Sequence, residues 1–226
     1  MDKQHRLNTG AITLLDILGW KGIWQKRLSA AEELNQIINE ARSAVAHDAK
    51  RDYTKLFENL SIEIISISDT IAIGSTGNPL KTLQAHAFIA NSIIITCISK
   101  SLFIRGATSY GDFLINDNIM IGPAVDEVAA WYDKANWIGI FQTPSALYQL
   151  DLSEYEYPQL LIEYEVFIKE YGKFKTHCNN WARWFVEAKK RSEKDLLKEF
   201  INSGPILPDV AMKYANTLDF FRIACN

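Results

Sequence analysis

The sequence predicts an α+β fold, a mostly antiparallel sheet with packed helices, followed by a helical C-terminal extension. Three observations carry this. Short runs rich in β-branched residues alternate with longer stretches of helical periodicity. Two strand-like runs, residues 160–168 and 174–180, are joined by Glu170, Tyr171 and Gly172, which reads as a hairpin. From Arg183 onward the pattern is helical.

The elements follow in order. Residues 11–17 are a short apolar run with a β-branched centre, a buried strand. Residues 28–55 carry Leu34, Ile37, Ile38, Ala41, Ala44 and Val45 at helical spacing. Residues 61–73 alternate as one strand, with Ile62, Ile64, Ser66 and Ser68 on one face and Glu63, Ile65, Ile67 and Asp69 on the other. Gly, Ser, Asn and Pro gather in residues 74–79, which predicts a turn. Residues 82–99 are a largely apolar helix. Residues 103–109 read as a strand that turns at Tyr110 and Gly111, and residues 116–118 are a turn signal. Met120 and Ile121 lead through Gly122 and Pro123 into a helix over 124–135. The closing helical region breaks at Ser203, Gly204, Pro205 and Pro208, and residues 214–221 form an amphipathic docking helix. This places one layered domain in residues 1–182 and an extension packed on it in 183–226.

Composition narrows the function. A chain of 226 residues buries about 70% of its unfolded surface, enough for a real core. With 24 basic and 27 acidic side chains the net charge is −3, against the basic face that nucleic-acid binding requires. Cys97, Cys178 and Cys225 are far apart and form no CxxC pair, so structural thiols in a reducing compartment are expected. His5, His47, His86 and His177 share no metal-ligand spacing. No apolar run reaches the roughly 20 residues of a membrane span, and the reading is a soluble cytoplasmic protein without a membrane or nucleic-acid partner.

Two acids sit where acids are costly. Asp16 closes the first strand and Asp69 lies in a second β-branched run. A carboxylate in an apolar strand needs a partner or a metal. Neighbouring strands would bring the two together, and divalent ions held by a carboxylate pair suit phosphoryl chemistry. Strand-end capping or pairing with an arginine is the plainer alternative. Gly19, Trp20, Lys21 and Gly22 follow at a strand-to-helix turn, where backbone N–H groups can face phosphate oxygens. The spacing differs from a P-loop, and an ordinary glycine turn fits equally. Arg105, inside a strand and next to Gly106, must face a carboxylate, a phosphate or solvent.

Taken together these residues resemble class III nucleotidyl cyclases. Leu15-Asp16-Ile17-Leu18-Gly19-Trp20 is similar to the family's first metal-binding strand and phosphate loop. Ser66-Ile67-Ser68-Asp69-Thr70 resembles the second metal-aspartate hairpin. Arg105-Gly106-Ala107-Thr108-Ser109-Tyr110-Gly111 resembles the next core strand, and residues 121–130 the strand-to-helix motif that selects the base. The motifs occur in family order over residues 10–135. The resemblance implies a ferredoxin-like cyclase sheet, with residues 1–182 as the catalytic domain.

Departures sharpen the resemblance. Purine cyclases carry a lysine where this chain has Ile65, and a polar group at Pro123. Their helix-motif asparagine and arginine fall on Asp126 and Ala130. The pattern Arg-Gly-Ala-x-Ser-Tyr-Gly with Gly-Pro-Ala-Val resembles the pyrimidine nucleotide cyclases of bacterial Pycsar anti-phage systems. That implies conversion of UTP, or of CTP, to cUMP or cCMP and pyrophosphate, with a separate effector protein reading the product. It implies two divalent cations per site, Mn²⁺ or Mg²⁺, held by Asp16, Asp69 and the Ile17 carbonyl. Ile17, Leu18, Gly19, Trp20, Lys21 and Gly22 would hold phosphates, with Asp126 and Tyr53 on the base side. Arg105 would stand in for the missing transition-state arginine. It also implies a homodimer, each site taking metal aspartates from one chain and base-side residues from the other. A degenerate nucleotide-binding sensor is the non-enzymatic alternative, and a metal-dependent phosphohydrolase or nucleotidyltransferase is a third reading.

Overall fold

Strand β1 (Asn8–Ile17) is paired on both edges, by β3 (Thr70–Thr76) on one side and β4 (Ile104–Asn116) on the other, both antiparallel. Its interior is buried on both faces, which is why it reads as a nearly continuous apolar run. The computed structural model describes residues 7–20, 28–48, 53–67, 69–116 and 119–226. The remaining strands are β2 (Ile62–Ile67), β5 (Ile119–Ile121), β6 (Gly139–Gln142), β7 (Leu161–Ile168) and β8 (Gly172–Asn179). The sheet order is β2-β3-β1-β4-β6-β8-β7, with β5 paired to β4. Every pairing is antiparallel except β4 with β6. The expected mostly antiparallel α+β architecture is observed.

Helix α1 (Ala30–Ser43) buries Leu34, Ile37, Ile38 and Ala41, the periodic residues of the sequence. It runs into one π-helical turn (Ala44–Asp48) and is followed by the short α2 (Thr54–Phe57). Helix α3 (Pro79–Ile98) begins with proline in its first turn, and the Asn78 side chain accepts a hydrogen bond from the Lys81 N–H at 3.0 Å. It is buried almost all round, lying between the sheet and other helices. The rest are α4 (Pro123–Trp131), α5 (Pro144–Leu147), α6 (Trp181–Glu187), α7 (Glu193–Asn202) and α8 (Pro208–Cys225). Trp137 stacks on Tyr164 of β7 at 5.5 Å and meets Phe220 of α8 edge-on at 4.8 Å, fastening the last helix to the sheet. Trp181 joins the same core, Cys97 and Cys178 are buried, and Cys225 is exposed. Among the described residues no helix is long and apolar enough to cross a membrane.

Several boundaries differ from the sequence reading. The single strand over residues 61–73 is two strands, because Ile67 pairs with Thr70 and the chain reverses between them. The pairing leaves the period-2 pattern intact on both sides, so alternation alone could not reveal it; Ser68, read as part of the strand, lies outside the described residues. The turn expected over 74–79 begins later, at Gly77. Gly74 stays in β3 because the Ile12 and Ile115 side chains fill the place of a Cβ, so it marks close packing. Tyr110 and Gly111 likewise do not turn; they pair with Ala11 and Gly10 inside a 13-residue β4. The helix over 124–135 ends at Trp131. Strand β6 was not foreseen. It has four residues, all buried, too few for a periodicity signal. It meets β8 through one register pair, Phe141 with Cys178. Of the turn signal at 116–118, residues 117 and 118 lie outside the described residues.

A buried polar chain locks these layers. His86 of α3 bonds the Thr13 hydroxyl through Nδ1 (2.8 Å) and the Ser75 hydroxyl through Nε2 (2.9 Å), while Thr13 bonds Thr108 (2.7 Å). One imidazole thus ties the helix to β1, β3 and, through Thr13, β4. Burial pushes its pKa down to about 3. The unfolded chain therefore takes up a proton below about pH 6.5, whereas the folded chain does not until about pH 3. We expect stability to fall with acidification through that window, by about 1.4 kcal/mol per pH unit from this group. Urea unfolding of wild type and His86→Gln between pH 7.5 and 5 checks it. The variant should be less stable at neutral pH and show a shallower slope, the remainder including His177, which burial also lowers.

Candidate functional site

Ala11 packs with Leu83 of α3 and Thr13 bonds His86, so the odd-numbered residues of β1 turn toward that helix. Strand alternation then sends Ile12, Leu14 and Asp16 to the opposite face. Asp16 stands across from Arg105 on β4 and Thr70 on β3. The Arg105 Nε and Nη2 groups both donate to Asp16 Oδ2 at 2.9 Å, and Nη1 reaches the Ala135 carbonyl at 3.5 Å. The Arg105 and Asp16 side chains are 12% and 17% exposed. The sequence's plainer alternative, an arginine partner for the strand-end acid, is therefore realised at Asp16.

Asp69 sits in the β2–β3 turn, half-buried, and its carbonyl accepts the Ile17 N–H at 3.3 Å. The fold brings the two aspartates to adjoining chain segments at one end of β1. The chain then turns. The Leu18 N–H donates to the Phe103 carbonyl (2.7 Å) and the Trp20 N–H to the Ile17 carbonyl (3.4 Å), while Trp20 is buried. Gly19 adopts φ 75°, a conformation glycine takes at no steric cost. Of the amides proposed as a phosphate cradle, those of Ile17, Leu18 and Trp20 are thus committed within the protein. Lys21 and Gly22 lie outside the described residues.

The donors suit a hard divalent cation. Asp16, Ile17 and Asp69 lie on adjoining segments at one end of β1, and magnesium is commonly held by one or two carboxylates with substrate phosphates and water completing the shell. Among the described residues there is no group of three or more His, Cys, Asp or Glu side chains placed to hold a metal by themselves. Asp16, Asp69 and Ile17 are the residues that would hold such an ion.

Two expected contributors lie elsewhere. Tyr53 packs into an aromatic cluster with Phe88 (4.5 Å) and Tyr157 (4.7 Å), beside a different cavity that Trp184 also lines. Asp126 is exposed in the first turn of α4. That helix starts over Gly111, and Ser109 donates to the Ala124 carbonyl at 2.6 Å. Gly111 pairs with Gly10, six residues along β1 from Asp16, a separation of about 20 Å. The start of α4 and Asp16 thus lie toward opposite ends of β1. Conversely, the structure adds Lys169, in the β7–β8 turn, and Lys213, on α8, to the cavity that Arg105 and Gly19 line. Each follows or interrupts an apolar stretch without a motif, and only the tertiary fold brings them together.

No protein-family model matches the chain, and no curated protein matches it. Solved structures do. An adenylate cyclase from Trypanosoma brucei in its monomeric state matches with a TM-score of 0.52 and 11% identity, over 80% of this chain and 91% of that one. The catalytic core of a rhodopsin-guanylyl cyclase with converted specificity, in complex with ATPαS, gives a TM-score of 0.49 and 15% identity, over 77% of this chain and 96% of that one. The likeness to the Trypanosoma structure establishes the fold as the cyclase fold expected from the motifs.

The Asp16–Arg105 pair is held in a partly screened environment, so each partner depends on the other. We expect Asp16→Asn and Arg105→Met each to destabilise the protein, with a coupling of about 1–2 kcal/mol in a double-mutant cycle. Urea unfolding of the four proteins measures it; strict additivity would show that the pair contributes no coupling.

Proposed function

We propose that the chain is a nucleotidyl cyclase acting on a pyrimidine nucleoside triphosphate, UTP in first place and CTP as the alternative, to give the cyclic monophosphate and pyrophosphate. One observation carries the reading: on a cyclase fold, Asp16 and Asp69 stand on adjoining segments at the end of β1, with Arg105 bonded to the first of them. The 3′-hydroxyl oxygen attacks the α-phosphorus; the bond to the β-phosphate oxygen breaks, pyrophosphate leaves, and the hydroxyl proton passes to solvent. Asp16, Asp69 and Ile17 would hold two divalent ions, Mn²⁺ or Mg²⁺, which when bound would supply charge neutralisation and acidify the hydroxyl. Asp16 and Asp69 orient what they hold. Arg105, fixed by Asp16, presents its guanidinium to the phosphates. Gly19 keeps the turn open for their approach.

The start of α4 lies over Gly111, about six residues along β1 from Asp16. In this reading base-side residues on α4 serve a site across a second copy, in a homodimer with two sites. The pyrimidine reading draws on what the chain lacks: Ile65 is a half-buried apolar residue beside Arg42 and Val45, and Ala130 is an exposed methyl group. Neither reads a purine edge. In this reading the product is a second messenger of anti-phage defence in the cytoplasm, read by a separate effector.

The Asp16–Arg105 pair also favours a second reading, a nucleotide-binding sensor in which arginine has taken the place of catalysis. Incubating the purified protein with each of the four NTPs and Mn²⁺, and resolving products by mass, separates the two. Cyclic UMP with pyrophosphate is the expected result; cyclic CMP would move the base; nucleotide binding without product would replace the enzyme by the sensor. Asp16→Ala and Asp69→Ala should each abolish product formation while retaining the folded circular dichroism spectrum. Arg105→Ala should lower turnover more than nucleotide affinity.

A further inference from the structure

Strand β7 closes one side of the sheet, with β8 along its inner edge and, among the described residues, no strand along its outer edge. Only its far end is covered there. The Asn136 N–H donates to the Phe167 carbonyl at 2.8 Å, and the Lys169 N–H to the Lys134 carbonyl at 2.9 Å. Phe167 therefore turns its backbone groups outward, and in an antiparallel ladder Glu165 and Glu163, two and four positions earlier, do the same. Among the described residues nothing bonds the outward amides and carbonyls of these two glutamates. A cleft of about 550 Å³ lies beside them, lined by Glu163, Tyr164 and Glu165 of β7 and by Asn216, Arg222 and Ile223 of α8. Residues of both faces of β7 line it, so the cleft wraps the free edge of the strand.

The two faces offer different surfaces. On one, Tyr164 stacks on Trp137, and Ile223 is 53% exposed. Trp137 also lines the cleft, and its buried indole N–H has no hydrogen-bond partner. On the other face Glu163 and Glu165 reach across the ladder to Lys175 (2.9 Å) and Lys173 (3.4 Å). A strand added to the edge would set its side chains about 5 Å from the glutamates, with the lysines one strand further, about 10 Å away. The nearer charge dominates, so the edge favours basic residues at alternate positions and apolar ones between them. Arg222, the cation on the α8 wall, is already held by Glu193 at 2.6 Å. A second copy of this chain is the poorer occupant. Two β7 edges laid antiparallel about Tyr164 would set the glutamates of one against those of the other, and like charges directly opposite are destabilising.

We propose that the free edge of β7 is a docking site for an extended segment of a partner protein, one in which basic and apolar residues alternate, added to the sheet as a further antiparallel strand. Backbone hydrogen bonds to Glu163 and Glu165 supply affinity, and the two rows of side chains supply specificity. The basic residues lie along the glutamates, and the apolar ones enter the cleft toward Tyr164 and Ile223. The site is independent of the cyclase reading above, because it stands on the register and charge of β7 alone.

A fluorescent, capped hexapeptide alternating lysine and valine, titrated into the full chain, tests this. Anisotropy should show saturable binding, and hydrogen exchange should show the Glu163 and Glu165 amides protected when the peptide is added. Strand pairing turns the lysine N–H groups toward β7 and the valine N–H groups away from it. N-methylation of the lysine nitrogens should therefore weaken binding about tenfold or more, the worth of the lost hydrogen bonds, whereas N-methylation of the valine nitrogens should leave it unchanged. Glu165→Lys should weaken the lysine peptide and strengthen its glutamate–valine counterpart, an exchange of preference that a poorly folded variant would not show. No saturable binding, equal loss on methylating either set of nitrogens, or unprotected glutamate amides overturns strand addition. Equal binding of the lysine and glutamate peptides overturns the basic partner. Protection of the same amides without peptide, rising with protein concentration, makes a second copy the occupant and overturns the proposal.

Discussion

A carboxylate at the end of a strand paired on both edges must be answered, and in this fold Arg105 answers Asp16. Much of the site's geometry follows from that requirement. Because β1 is central, the cation has to come from a flanking strand, and β4 supplies it at the facing register position. The pair then fixes the guanidinium at the mouth of a cavity. The neighbouring strand hairpin delivers Asp69 to the same place through its carbonyl bond to Ile17. The site is thus assembled by strand register, with loops contributing mainly at the rim.

The interior beneath the site is polar by design of the same strands. Thr13, Ser75 and Thr108 lie in three adjacent strands and would be costly if left without partners. His86 meets Thr13 and Ser75 with its two ring nitrogens, and Thr108 joins through Thr13. The network fixes α3 against the sheet in one position, and it sits on the face opposite Asp16. The chemistry face and the locking face therefore alternate along β1, residue by residue.

Much of this was legible in the sequence. Asp16 and Asp69 stood out because acids inside β-branched runs demand an explanation, and the order of the motifs matched the fold. Helix α1 was legible from periodicity and α3 from its apolar run, although Asn78 and Pro79, read as part of a turn, cap and open α3. What escaped has a common physical cause. The β2–β3 turn preserves alternation, β6 is shorter than any periodic signal, and Gly74 and Gly111 serve packing where glycine usually signals a turn. Lys169 and Lys213 carry no local mark at all; only the tertiary fold brings them to one cavity. Tyr53 illustrates the converse, an aromatic whose neighbours in sequence did not disclose the aromatic cluster it joins.

The sheet's weakest lateral join is β6. Four residues connect it to β4 and one register pair connects it to β8, so the strands divide into a block carrying β1 and β4 and a block carrying β7 and β8. Arg105 belongs to the first block and Lys169 to the second, which means the cationic cavity straddles the seam. A small change in twist across four residues would be read out as a change in spacing between two positive charges.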